Sequence, residues 1–147
     1  MKLLALDIAT KTGWKTETAS GVWDFKLKRG ESYGMRLVRF KSAVSEIISL
    51  EKIDIVSYEI PVGRFAASTM CATEMIGVLN VICAEMGVEV TSLSASEIKA
   101  YATGKGNCGK PAMIQAAKEK YPDIHIIDDN HADAIFIYDL TKSNLKL

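Results

Sequence analysis

The hydrophobic pattern at the start of the chain predicts three strands. Residues 2–8 form a short apolar run of strand length, and residues 11–16 and 20–27 fit two further strands on either side of a polar turn at 17–19. Strands joined by such short turns pair in antiparallel fashion. The first part of the chain is therefore predicted to be a three-stranded antiparallel meander.

Beyond the meander, helical periodicity alternates with short apolar runs. Helices are predicted over 33–50, 66–86, 95–102, 111–121 and 130–140, and strands over 53–60 and 88–93. A capping pattern, Ser94 with Glu97 three residues later, marks the start of the third helix. Because parallel strands need crossover connections, the predicted fold class is α/β: a mixed five-stranded sheet, three antiparallel strands followed by parallel crossovers, flanked by helices.

The composition is that of one globular domain, residues 1–147, with an apolar share of 48% and a charged share of 24%. Three cysteines show no paired CxxC spacing, so neither a zinc site nor a disulfide is indicated. No window approaches the roughly 18 uninterrupted apolar residues of a membrane span, and no signal-peptide layout is present. We expect a cytoplasmic protein, in the host cell if it is viral, with no membrane association.

Charge is unevenly distributed along a chain whose net charge is zero. Residues 26–41 carry six basic side chains against one acid, residues 98–118 carry four lysines and no acid, and acids gather at 123–133. Separation of this kind suits a protein that holds a metal cluster in one place and a polyanion around it.

Carboxylates occur where the predicted strands end. Asp7 closes the first apolar strand and Glu59 closes the strand over 53–60, while Asp128, Asp129 and Asp133 open the last helix. In a mixed sheet of this order the first strand is central and the Glu59 strand can lie beside it. Asp7 and Glu59 are then neighbours at one sheet edge.

Such a group of acids predicts a metal site. Asp129 and Asn130 precede Asp133 by four and three residues and share its helix face. Close carboxylates repel unless a cation neutralises them, and oxygen-only ligands favour Mg²⁺, with Mn²⁺ as a substitute. Two such ions a few ångströms apart would activate a water and stabilise the leaving oxygen of a phosphodiester.

Four segments in this order resemble a known family. LALDIATKTGW, IVSYEIP, SEIKAYATGKGNCGK and DNHADAI are similar to motifs of the RuvC Holliday-junction resolvases, within the ribonuclease H-like superfamily. The resemblance extends from Leu3 to about Leu140 and is closest to the short enzymes of bacteriophages. It implies a homodimeric, Mg²⁺-dependent endonuclease that resolves four-way and other branched DNA junctions and leaves a 5′-phosphate.

The resemblance also implies residue roles. Asp7, Glu59 and Asp133 lie where the family has metal-binding catalytic carboxylates. Lys99 and Lys110 flank the glycine loop 103–109 and would contact the phosphate or compensate charge in the transition state. The residues assigned to DNA contact are Lys99, Lys105, Lys110, Arg64 and Phe65, the last resembling an aromatic that stacks on an unpaired base.

One position departs from the family pattern. An acid or a histidine is expected three residues before the final aspartate, and this chain has Asn130 there. Asn130 could be a neutral oxygen ligand, Asp129 could supply the charge, or His131 could turn inward at an irregular helix start. Asp129 is ranked first, among the catalytic and metal-binding residues, and the choice stays open.

Other functions are weighed beside junction cleavage. A nuclease of the same fold could act on an RNA/DNA hybrid or a ribosomal RNA precursor, and a protein that binds junctions without cutting them would fit the Asn130 change. DIATKTG also resembles the first phosphate loop of actin-like ATPases, but those proteins clasp the nucleotide with two lobes, and this chain has one.

Overall fold

The computed structural model describes residues 1–63 and 66–147. Its strands are β1 (Leu3–Asp7), β2 (Lys11–Lys15), β3 (Ser20–Asp24), β4 (Ile55–Glu59) and β5 (Glu89–Leu93). Its helices are α1 (Gly34–Glu51), α2 (Ala66–Met86), α3 (Ala95–Thr103), α4 (Lys110–Lys120) and α5 (Asp129–Asn144).

The five strands form one mixed sheet in the order β3-β2-β1-β4-β5. β1 to β3 pair antiparallel, whereas β4 lies parallel to both β1 and β5. The predicted fold class and the central place of β1 are confirmed. The capping box is confirmed as well, since the Ser94 side chain accepts from the Glu97 N–H and the Glu97 side chain accepts from the Ser94 N–H.

Two element ends differ from the sequence prediction. β3 stops at Asp24 because the Asp24 side chain accepts a hydrogen bond from the Lys26 N–H, which turns the chain out of the sheet. α5 continues to Asn144, four residues beyond the predicted end, and its Thr141 hydroxyl donates to the Ser57 hydroxyl of β4 at 2.7 Å. A tertiary contact thus supports the last helical turn.

Alternate residues of β1 separate two hydrophobic layers. Leu4 and Leu6 pack with α1 and α2 on one face, and Leu3 and Ala5 pack with α3, α4 and α5 on the other. By the same alternation Asp7 belongs to the face of Leu3 and Ala5. The carboxylate is therefore directed to the α5 side of the sheet.

Helix α2 is long and apolar enough to cross a membrane by length and composition alone. In this fold, however, its Met75, Leu79 and Ile82 are buried in the layer that covers β1 and β4. One face of α2 is therefore part of the core, while Met70, Val81 and Met86 leave apolar surface exposed.

Candidate metal centre and nucleic-acid interface

Strand register brings Asp7 and Glu59 together. Leu3 pairs with Ile55 and Leu6 with Tyr58, and the same offset continued by one residue sets Asp7 opposite Glu59. Both side chains extend to the α5 face, since Ile55 and Ser57 on β4 also contact that layer. Asp7 is 8% exposed and Glu59 is half-buried. The strand register therefore agrees with the sequence prediction that these two acids are neighbours at one sheet edge.

The N-terminus of α5 supplies the third acid, and a glycine allows its approach. Gly13 pairs with Asp7 across β1 and β2, and a Cβ at Gly13 would collide with the backbone carbonyl of Asn130. Only glycine lets α5 come this close to the end of β1. Asp133, one turn inside α5, is thereby held near Asp7 and Glu59.

Asp128 has a separate, structural role. Its side chain accepts a hydrogen bond of 2.9 Å from the His131 N–H, and it caps α5. The prediction that Asp128 is a cap is confirmed. An acid at this position also interacts favourably with the helix dipole.

The acids at this edge perturb one another. Burial raises the pKa of Asp7 well above its usual range, and the charges of Asp133 and Glu59 raise it further. Burial, with the charges of Glu59 and Asp129, raises the pKa of Asp133 to about 7. Burial also raises the pKa of Glu59, against the opposing effect of Lys99. Carboxylates whose ionised forms are disfavoured in this way are suited to receive a cation.

Two lysines partly offset this charge. Lys99 on α3 lowers the pKa of both Glu59 and Asp133, and Lys110 at the start of α4 lowers that of Asp133. The Lys110 ammonium lies 3.6 Å from the Asp129 carboxylate, with the Lys110 side chain 80% exposed. Lys105 lies exposed in the loop between them. Of the predicted lysines, Lys99 and Lys110 therefore act on the acids, whereas Lys105 is only shown to be exposed on the loop between α3 and α4.

The donor set fits a hard divalent cation. Asp7, Glu59 and Asp133 offer only carboxylate oxygens, and within residues 1–63 and 66–147 no hydrogen bond or ion pair involves the Asp7 carboxylate. In the same described residues no three His, Cys, Asp or Glu side chains stand close enough to enclose an ion.

The three candidates for the fourth ligand differ in their surroundings. His131 is 2% exposed; its Nδ1 accepts from the Ile127 N–H at 3.1 Å, so its Nε2 carries the proton donated to Ser20 Oγ at 2.8 Å. Both ring nitrogens are thus engaged away from the acids. Asp129 and Asn130 are half-buried at the first turn of α5, and the charge of Asp129 acts on both Asp7 and Asp133.

Two residues predicted to contact DNA are not described by the structure, and two features of the site were not predicted from the sequence. Arg64 and Phe65, assigned to DNA contact, lie outside the described residues. Gly13 and the Ser20–His131 hydrogen bond were not identified from the sequence. The glycine inside a strand pattern was the available signal for a close backbone approach at Gly13, whereas nothing local marks Ser20 as the partner of a histidine 111 residues away.

A five-stranded sheet with three antiparallel strands followed by two parallel ones, flanked by helices, has the topology of the ribonuclease H-like fold. No family model matches the chain, and no curated protein is similar to it in sequence. Among solved structures it is similar to Thermus thermophilus RuvC, with a TM-score of 0.78 and 17% identity over 99% of this chain and 97% of that chain. The chain has the RuvC fold, which confirms the fold expected from the four motifs.

Two further solved structures share the fold. T. thermophilus RuvC in complex with a Holliday junction substrate matches with a TM-score of 0.75 and 18% identity over 93% of this chain and 90% of that chain. The yeast mitochondrial Holliday junction resolvase matches with a TM-score of 0.66 and 12% identity over 92% of this chain and 75% of that chain.

Proposed function

We propose that this protein is a structure-selective endodeoxyribonuclease that resolves four-way and branched DNA junctions by metal-assisted hydrolysis, leaving a 5′-phosphate. The observation that carries the proposal is the Asp7 carboxylate, buried beside Glu59 and Asp133 and without a basic partner among the described residues. An unpaired buried carboxylate is costly unless a cation binds it. The position of this group at the carboxyl end of β1 in a RuvC fold supports the proposal.

Asp7, Glu59 and Asp133 would hold a pair of Mg²⁺ or Mn²⁺ ions, with Asp129 or Asn130 as the fourth ligand. The chemistry that such ions would supply there is activation of a water and stabilisation of the leaving oxygen. Asp7, the most buried of the three carboxylates, would be one of their ligands. Lys110, beside Asp129, would offset phosphate charge as the bond breaks.

DNA would approach along the lysine-bearing edge. Lys99 on α3 and Lys110 on α4 act on the acids, and Lys105 is exposed in the loop between these helices; phosphate contacts from such residues set affinity and position. One structural neighbour is bound to a Holliday junction substrate, which supports junction DNA as the ligand. Arg64 and Phe65 are retained as proposed DNA contacts on the resemblance alone.

A homodimer is proposed to match the two-fold character of the junction. Helix α2 exposes Met70, Val81 and Met86, at 62%, 54% and 39%. Beside Val81, a groove of about 460 Å³ between α1 and α2 is lined by Leu37 and Val78. An apolar helix face of this kind suits contact with a second copy of the chain. Sedimentation of a Val81→Lys variant at a lower mass than the wild type would support the proposed homodimer.

The test is cleavage by Asp7→Asn protein. We expect at least a roughly 1000-fold loss of junction cleavage in Mg²⁺ or Mn²⁺, because a residue proposed to bind these ions is lost. Junction binding should survive. Asp123→Asn, which removes an exposed acid from the segment between α4 and α5, is the matched control and should cut normally.

A substrate panel separates junction cleavage from related activities. Four-way junction, flap, linear duplex and RNA/DNA hybrid are compared under the same conditions. Faster cutting of the linear hybrid would contradict the proposal and favour a ribonuclease H-like activity on another substrate. Wild-type protein that binds junctions and never cuts them in either metal would favour a binding-only protein.

A further inference from the structure

A polar pocket lies at the end of the α3–α5 layer opposite the acids. It measures about 430 Å³. We call it the lysine–tyrosine pocket; its lining includes Lys15, Lys120, Lys142, Tyr101, Tyr121 and Tyr138. Lys110 begins α4 beside the acids and Lys120 ends it at the pocket, so at 1.5 Å per residue the two sites are about 15 Å apart. The pocket is separate from the proposed metal centre.

The acid that helps to form this pocket is already satisfied. The side chain of Asp139 is 8% exposed and accepts one hydrogen bond from the Tyr121 hydroxyl, shared between its Oδ1 at 2.7 Å and its Oδ2 at 2.8 Å. It also pairs with the Lys120 ammonium at 2.8 Å. Asp139 therefore has no need of a further cation, and its charge is matched by Lys120.

Lys15 differs from Asp139, because it has no partner of opposite charge among the described residues. It is 8% exposed, its ammonium donates one hydrogen bond of 3.2 Å to the Thr16 carbonyl, and it lies 4.8 Å from the centre of the Tyr138 ring. Among the described residues no carboxylate lies within ion-pair distance of it. A buried ammonium has three donors, so two remain for a ligand in the cavity.

The remaining charges in the lining favour an anion. Lys142 and Lys146 are exposed and form no ion pair within the described part of the chain. The lining has four lysines against two acidic side chains, Glu17 and Asp139, and the terminal carboxylate of Leu147, so one positive charge is in excess. Burial and the nearby Lys142 lower the pKa of Lys15, and Asp139 opposes this. A bound anion would stabilise the charged form.

We infer that the lysine–tyrosine pocket binds the phosphate group of a nucleotide, either free or within a nucleic-acid strand, with Lys15 and Lys142 as its principal donors. A phosphate carries one to two negative charges and several acceptor oxygens, which match the excess charge and the free donors. The exposed ring of Tyr101 offers a flat surface to the attached base. The volume is in the range of small-ligand sites.

The test is calorimetric titration of the full chain with inorganic phosphate, a nucleoside 5′-monophosphate and a short single-stranded oligonucleotide. We expect Lys15→Gln to weaken binding roughly tenfold and Lys142→Gln by a few-fold. Lys142 is exposed, so its variant folds even if Lys15→Gln does not. Lys118→Gln removes the same charge on α4 outside the pocket and should leave binding unchanged.

The titrations also identify the source of the phosphate. Binding of the mononucleotide that Lys142→Gln weakens supports a free ligand. Binding of the oligonucleotide alone, weakened by Lys142→Gln and not by Lys110→Gln, supports a strand. Absence of binding by every probe at about 10 mM, or equal weakening by Lys118→Gln and Lys142→Gln, would overturn the inference, because the second result is that of general charge attraction.

Discussion

Two buried carboxylates at opposite ends of one layer have contrasting surroundings. Asp139 receives a tyrosine hydroxyl and a lysine ammonium, whereas Asp7 faces Glu59 and Asp133 and has no basic partner among the described residues. Exposure does not separate them, since both are 8% exposed. A buried acid with partners stabilises a fold, and one without partners marks a place where an external cation is needed. Partners, rather than burial, distinguish structural acids from functional ones here.

The largest effect on stability is expected when Asp139, the acid that has partners, is replaced. Asp139→Asn should lower the free energy of unfolding by about 2–3 kcal/mol, because the Lys120 ammonium and the Tyr121 hydroxyl lose their charged acceptor. Urea unfolding measures the change. Cleavage per folded molecule should stay normal, and a variant as stable as wild type would remove the contrast between the two acids.

Gly13→Ala should cost about 1–3 kcal/mol and reduce cleavage as well. The new Cβ meets the Asn130 carbonyl, so α5 must move away from β1 and carry Asp133 with it. Thermal unfolding and junction cleavage are measured together. Gly34→Ala is the matched control, since among the described residues a Cβ there meets only the Ser32 hydroxyl, at an ordinary contact distance of 3.7 Å. Unchanged cleavage in folded Gly13→Ala protein would show that the approach of α5 is not needed for activity.

The unsatisfied acids predict a pH dependence of stability. The folded pKa of Asp133 is about 7, above the value of about 4 expected in the unfolded chain. Between these values the folded protein keeps a proton that the unfolded chain has released. The stabilisation is complete below about pH 4 and is lost as pH rises through about 7.

Without metal, Asp133→Asn should therefore be more stable than wild type at pH 8, by about 1–3 kcal/mol, and the difference should shrink at pH 5. Mg²⁺ should raise the Tm of wild type more at pH 8 than at pH 5, because it binds the ionised acids. Unfolding at both pH values, with and without Mg²⁺, gives the comparison. A pH-independent difference would contradict the repulsion assigned to this end of the layer.

The smallest effect is expected at the exposed ion pair of Lys110 and Asp129. Lys110→Gln should change the free energy of unfolding by less than about 0.5 kcal/mol, because the lysine is largely in solvent. It should weaken junction binding and lower the salt dependence of binding by about one phosphate contact. Lys118→Gln on the same helix is the control, and equal effects of the two variants would argue against a specific contact.

Much of the fold could be predicted from sequence because it depends on local periodicity. Alternating residues in β1 and the continuous apolar run ending at Glu59 are consequences of strand geometry, and Ser94 with Glu97 marks a helix start directly. Element ends were less predictable. The extension of α5 to Asn144 depends on the contact between Thr141 and Ser57, which are distant in sequence.

The sequence by itself determined which carboxylates stand at strand ends and which lysines surround the glycine loop, since these follow from residue order and backbone period. Only the tertiary structure decided that Asn130 passes over Gly13, that His131 binds Ser20, and that Lys15 lies in a pocket without an ion-pair partner among the described residues. The physical reason is that burial and partnership are set by packing between distant segments, and the energy of a charged group depends on both.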